Sequence, residues 1–511
     1  MKRPSVLLLV LMLTSSANAD LEMPKIFSDN MVLQSGIPVS VWGIATPNEK
    51  VTVEFKAQEK SATAGEDGRW MIRLDPLPAS SEAGTLTVTA NKERKEFTDV
   101  LVGEVWLCSG QSNMASTFTY LKITEEVEGV DYPQIRLTTG KGWKLCTTES
   151  AKRFSAVAYY FGLNLWKELQ VPVGLVSISR GCSSIEAWMT PESFAANPLL
   201  VDANGCKLTD EMKRFQQFHA NYEKLSGEEK ERVFHEHCTG NYFFARSYLK
   251  DGGLSPEKYR KVLWHMTVVK PAFLYDSLIA PVVPFTVRGV TWYQGETNAK
   301  DKQYAQKQRI LIESWRELWG QGDFPFYIVQ IAPTRSTARP GIWLQQYKAV
   351  AETPNSGVAS TVDIASPLGP GGHPANKRDV GKRLALLAFR NTYGRENLTF
   401  SGPTYKSAEI AGDKIVVSFD NTGTGLCVKG ADAPDSFEIA GADGEFTKAK
   451  AALEGDRVVV SAPSVTRPKF VRYAWGGKVN PNLYNREGLP AFPFSTAERF
   501  FRHKTKAKER E

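Results

Sequence analysis

Val102-Gly103-Glu104-Val105-Trp106-Leu107-Cys108-Ser109-Gly110-Gln111-Ser112-Asn113-Met114 is the stretch on which the fold turns. Val102 to Leu107 reads as a strand, and the Gly-flanked Ser112 beyond it marks a sharp turn into a helix. Such a turn exposes the hydroxyl and aims backbone N–H groups at whatever the oxygen attacks. Taken alone, the motif fits a nucleophile and a bystander serine equally.

Three later segments repeat the arrangement. The apolar run Val173 to Ile178 leads into Ser179-Arg180-Gly181-Cys182-Ser183-Ser184-Ile185-Glu186-Ala187-Trp188. Gly289 to Trp292 ends in Tyr293-Gln294-Gly295-Glu296-Thr297-Asn298, and Gly371-Gly372-His373-Pro374 opens a helix-like segment, Lys377 to Phe389. Polar clusters at the ends of successive elements are how an α/β sheet builds a site. From Val102 onward strands alternate with amphipathic stretches such as Tyr159 to Leu169 and Gln308 to Trp319, which predicts a parallel sheet with helices on both faces. Short alternating strands before it (Val39 to Trp42, Lys50 to Phe55, Leu86 to Ala90) and after it (Lys414 to Phe419, Arg457 to Ser461) predict flanking β-sandwich-like domains.

The expected organisation is a leader over 1–19, an N-terminal β-domain over 20–100, an α/β domain with a parallel sheet over 101–395 and a C-terminal β-domain over 396–500. A basic tail, 501–511, closes the chain. Between Trp188 and His265 a polar, charged stretch reads as a helical insertion, about 190–265, that leaves the sheet just after Gly181 and either caps the site or is a plain surface excursion. Lys2 and Arg3, the apolar run Val6 to Leu13 and Ala17-Asn18-Ala19 read as a secretory signal, so a periplasmic or secreted protein is expected. No other stretch approaches the roughly 18 apolar residues of a membrane span.

In this order, the four polar segments resemble the SGNH hydrolase superfamily, and more closely its sialate O-acetylesterase-like branch of carbohydrate acetylesterases. Phe27-Ser28-Asp29-Asn30-Met31-Val32-Leu33-Gln34, Lys270-Pro271, Ile279-Ala280-Pro281, Arg472-Tyr473-Ala474-Trp475 and Asn482-Leu483-Tyr484-Asn485 extend the likeness over nearly the whole mature chain. The resemblance implies a serine esterase that removes O-acetyl groups from carbohydrates, sialic acids foremost. Acetylated xylan or another glycan is the alternative substrate, and a non-catalytic carbohydrate-binding protein the alternative function.

Composition narrows the choice. At 511 residues and 42% hydrophobic content the chain is long enough for two or three cores. Its net charge of +7 falls to +5 once Lys2 and Arg3 are removed, with part of the excess in the tail. Without a basic stripe interleaved with aromatics, a nucleic-acid surface is not expected. The six cysteines (Cys108, Cys146, Cys182, Cys206, Cys238, Cys427) form neither a CxxC pair nor a zinc spacing. Cys108 and Cys182 read as buried thiols, and a bridge between two of Cys146, Cys206 and Cys238 is open. His235-Glu236-His237 does not suit a metal, because residues two apart point to different faces of a helix. No metal or organic cofactor is expected.

Ester cleavage by serine needs a nucleophile, a base, an acid to orient that base, and donors for the oxyanion. Ser112 is the expected nucleophile. His373 is the expected base, as the one histidine in a Gly-His-Pro turn leading to a helix; it also falls where the resembled family carries its base. Many members place an Asp three residues before that His, but this chain has Pro370 there. Glu296, matching the family's Gln-Gly-Glu signature, is the first choice for the acid. Asp363 is the second, and a Ser–His dyad the third. Oxyanion donors are expected from the backbone N–H of Ser112 and of Gly181 and from a side-chain amide. Gln294 and Asn298 compete for that last place, with Asn113 as a brace of the turn. Trp188 and Tyr293 are candidates to stack on a sugar, and Arg180 to meet a carboxylate.

Overall fold

The computed structural model describes residues 20–201, 205, 207–210, 226, 268–333, 339–364, 373–476, 479, 481–498 and 500. The expected leader, most of the insertion, Cys206, Cys238, His235-Glu236-His237 and the basic tail lie outside the described residues.

At the centre is a sheet of β1 (Glu93–Gly110), β2 (Asp131–Thr138), β3 (Trp143–Thr147), β4 (Val173–Ser179), β5 (Gly289–Tyr293), β6 (Phe326–Val329) and β7 (Ser356–Ala359), in the order β7-β6-β5-β1-β4-β2-β3. Every pairing is parallel except that of β2 with β3. Residues of β4, β5 and β6 are buried almost throughout, as a sheet covered on both faces demands. On one face Trp106 of β1 meets Phe161 of α3 (Ala156–Leu169), which packs against α6 (Arg378–Asn391). On the other, Trp292 of β5 meets Trp315 of α4 (Tyr304–Trp319), which packs against α5 (Arg339–Ala351).

After β4 the chain crosses to the other side of β1, making β1 the strand at which the sheet order reverses. The crevice beyond the carboxyl ends of strands at such a reversal is where open α/β sheets build sites. Ser112, Gly181 and Glu296 all follow strands that meet there.

Two sheets form the N-terminal unit, antiparallel except where Val32–Gln34 pairs parallel to β1. Lys50–Phe55 pairs with Gln58–Thr63 and with Ser80–Ala90, which runs on to β1; Val39–Ile44 pairs with Arg69–Leu74. The boundary expected at 100 falls inside β1, an 18-residue strand whose first half belongs to this unit and whose second half is the centre of the parallel sheet. The C-terminal β-domain consists of two four-stranded antiparallel sheets with a short third pair. Their faces meet where Phe494 stacks on Tyr405, ring centroids 4.7 Å apart. No helix among the described residues is long and apolar enough to cross a membrane.

Cys108 and Cys146 are free and buried, and burial pushes both thiols up to about 12. Cys146 therefore does not form the bridge considered for it.

Candidate active site

The nucleophile turn is built from backbone constraints. Gly110 ends β1 at φ +135°, a conformation L side chains avoid, and a Cβ there would lie 2.2 Å from the Tyr293 carbonyl oxygen. Glycine thus lets β1 and β5 close together beneath the turn. Gln111 donates its N–H to Tyr293 O at 2.9 Å, while its side-chain Oε1 accepts from the N–H of Gly295 (3.2 Å) and of Thr297 (3.4 Å). Ser112 then opens α1 (Ser112–Ala115), half-buried, its carbonyl held by Ser116 Oγ at 2.8 Å.

The loop after β4 lies against this turn. Arg180 donates its N–H to Gly110 O at 2.9 Å, and a Cβ on Gly181 would sit 3.6 Å from Ser112 Cβ. Backbone of the second polar segment therefore faces the serine directly. Arg180 itself is half-buried, and burial lowers its guanidinium pKa from the usual value.

Behind these turns lies a buried polar layer that the sequence reading misassigned. Gln294, with no exposed surface, donates Nε2 to Ser183 O (3.1 Å) and Asn298 Oδ1 (2.8 Å) and accepts from Tyr304 Oη (2.8 Å). Asn298 turns Nδ2 to both carboxylate oxygens of Glu186 and to Asp301. Both amides are spent on holding the loops after β4 and β5 together, so neither is directed at an oxyanion. Burial pulls the Glu186 carboxyl up, but the buried Lys307 ammonium, 2.5 Å from Glu186 and 2.6 Å from Asp301, brings it net below its ordinary value.

The aromatics also need correction. Trp188 and Tyr293 have no exposed surface. Trp188 donates Nε1 to Ser183 Oγ at 2.9 Å and packs edge-on against Trp292, so it is core behind the strands; no sugar can reach either ring. The exposed aromatic beside the site is Tyr120, on α2 (Phe118–Leu121), 46% exposed, with its ring centroid 5.8 Å from that of His373 and its Oη 3.5 Å from His373 Nδ1. The sequence reading passed it over because it lies outside all four polar segments.

Of the two candidate acids, Asp363 is committed elsewhere. Arg383 of α6 grips it in a two-pronged ion pair, 2.7 and 2.8 Å, and Tyr484 Oη adds a third hydrogen bond at 3.2 Å. Glu296 stays with the nucleophile: its Oε1 accepts from Asn113 Nδ2 at 2.7 Å, and its Oε2 is buried without a hydrogen-bond partner among the described residues. Asn113 braces the turn from both sides, since its Oδ1 accepts from Lys377 Nζ at 2.5 Å. Among the described residues no cluster of His, Cys, Asp and Glu could hold a metal.

Residues 257–387 match the family model of the carbohydrate esterases described as sialic acid-specific acetylesterase. The chain is 28% identical over 466 residues to the sialate O-acetylesterase of Homo sapiens, covering 80% of this chain and 78% of that one. It is also 28% identical over 471 residues to that of Mus musculus, covering 79% and 80%. Among solved structures, a carbohydrate acetylesterase from Xanthomonas citri superposes with a TM-score of 0.76 at 31% identity, over 93% of this chain and 99% of that one. At 31% identity over 93% of this chain and 99% of that structure, the chain belongs to the carbohydrate acetylesterase family that includes the sialate O-acetylesterases, and it is a carboxylic ester hydrolase.

Proposed function

We propose that this enzyme removes O-acetyl groups from sialic acids through an acetyl-enzyme on Ser112. The observation that carries the reading is the placement of Gly181 against Ser112, so close that a Cβ on the glycine would touch the serine, at the point where the sheet order reverses. Ser112 Oγ attacks the acetyl carbonyl as His373 takes its proton, and the tetrahedral oxyanion is held by the N–H groups of Ser112 and Gly181. The sugar alcohol leaves with the proton from His373. Water activated by the same imidazole then releases acetate and restores the serine. Each oxyanion donor is worth about 3 kcal/mol in the barrier. Glu296 supplies negative charge behind the nucleophile turn, and Arg180 at the rim supplies positive charge toward a sialic acid carboxylate. The leader-like 1–19 supports export to the periplasm or medium, where such glycans are met.

Acetate release from O-acetylated sialosides and from acetylated xylo-oligosaccharides, compared with Ser112→Ala, tests this reading. Wild type is expected to act on the sialosides and Ser112→Ala to lose at least about 10³-fold in kcat. An active Ser112→Ala would refute the nucleophile, and turnover of xylo-oligosaccharides alone would move the substrate to acetylated xylan.

A further inference from the structure

The reaction as written makes no use of Lys377, a lysine with 1% of its surface exposed. It directly precedes α6, at the end of a helix where a cation is disfavoured. Burial pulls its pKa from 10.5 down to about 7, with Glu296 opposing the fall. Packing alone would be served better by methionine, which fills the same space without desolvating an amine.

Its contacts form a chain through the site. Nζ donates to Asn113 Oδ1 at 2.5 Å, Asn113 Nδ2 donates to Glu296 Oε1 at 2.7 Å, and Nζ lies 5.7 Å from the centre of the buried Tyr293 ring. Asn113 is the neighbour of Ser112, and Lys377 lies four residues beyond His373. One amide therefore ties the segment bearing the nucleophile to the segment bearing the base, drawn at one end by an amine and at the other by a carboxylate.

We propose that Lys377 is a positioning residue that, through Asn113 and Glu296, locks the Ser112 turn to the His373 segment and so sets nucleophile against base. The inference rests on the Ser112–His373 reading above. It is independent of which sugar the enzyme takes.

The test measures kcat and KM on p-nitrophenyl acetate, and the rate of Ser112 modification by a fluorophosphonate, for Lys377→Met, Asn113→Ala and the double variant, with circular dichroism to verify folding. Each single variant is expected to lower kcat and the labelling rate about 10- to 100-fold with KM within about twofold, because displacements of about 1 Å carry losses of that size. The double variant should be no more than about twofold worse than either single, as members of one chain of contacts are not additive. Wild-type turnover in either single variant, or losses that multiply in the double, would overturn the proposal. If Lys377→Met does not fold, Asn113→Ala decides alone: full kcat overturns the proposal and a lowered kcat at unchanged KM supports it. Ser112→Ala separates the two readings. Its retained activity would remove the nucleophile and this inference together, whereas an inactive Ser112→Ala beside a fully active Lys377→Met would remove only this inference.

Discussion

A buried amine makes stability depend on pH in a direction that can be worked out. Lys377 titrates near 7 in the folded protein and near the ordinary 10.5 when the chain unfolds. Between these values the unfolded chain holds a proton the folded chain has released, so stability rises with pH across this window by roughly 1.4 kcal/mol per unit. Below pH 7 both states are protonated and the whole destabilisation is present. The melting temperature of Lys377→Met should therefore exceed that of wild type most at pH 6, with the gap closing toward pH 10; scanning calorimetry at pH 6, 8 and 9.5 reads it. A gap constant with pH would mean that Lys377 is not perturbed. Nothing in the sequence marks this residue, because lysines almost always keep their ammonium in water. That Ser112 and Gly181 lie side by side was legible for the opposite reason: a glycine at a strand end reports a backbone constraint directly, as Gly110 does at φ +135°. The aromatics misled, since a Trp or Tyr has the same composition whether it turns to solvent, as Tyr120 does, or to the core, as Trp188 does.

Among the elements, α6 follows the His373 segment along the chain, and its seat is set by one glycine. A Cβ on Gly381 would lie 2.6 Å from Phe161 N and Tyr160 Cβ of α3, so the two helices touch almost backbone to backbone. Gly381→Ala must push α6 outward. It is expected to lose about 1–3 kcal/mol of stability in urea unfolding, as overpacked cores do, and to lower kcat with little change in KM, because Lys377 and His373 move with the helix. Lost stability with kcat intact would show that the His373 segment is held independently of α6. The alternation that announced strands and helices was legible from periodicity, whereas the starts of helices were not. The helix expected from Tyr159 begins at Ala156, where Ser155 caps it by accepting from Ala158 N–H, and its first turn is apolar all round. The helix expected from Gln308 begins at Tyr304 without a side-chain cap. The first turn of α3, buried on every side, shows no amphipathic period to read.

At the scale of the whole molecule, β1 makes the N-terminal unit and the hydrolase unit one body, a joint invisible in a sequence whose pattern changes near residue 100. The joint is reinforced at Glu104, 6% exposed, which accepts from Arg288 Nε (2.7 Å) and NH2 (2.9 Å), Ser35 Oγ (2.8 Å), Gln34 Nε2 (3.2 Å) and Tyr393 Oη (2.9 Å). These donors come from the N-terminal unit, from the residue before β5 and from the chain just past α6, so a single carboxylate gathers three regions around the strand. Exchanging it for an amide leaves the largely buried Arg288 without its counter-charge, a change that costs about 3 kcal/mol or more where such pairs are buried. Glu104→Gln should accordingly lower the melting temperature while calorimetry still records residues 20–100 and the central sheet unfolding in one transition, since the 18-residue strand remains shared. A separate early transition for the N-terminal unit, in wild type or variant, would mean that β1 breaks near residue 103. Catalysis at Ser112 would then be insulated from that unit, because the strand delivering the nucleophile would no longer transmit its fraying.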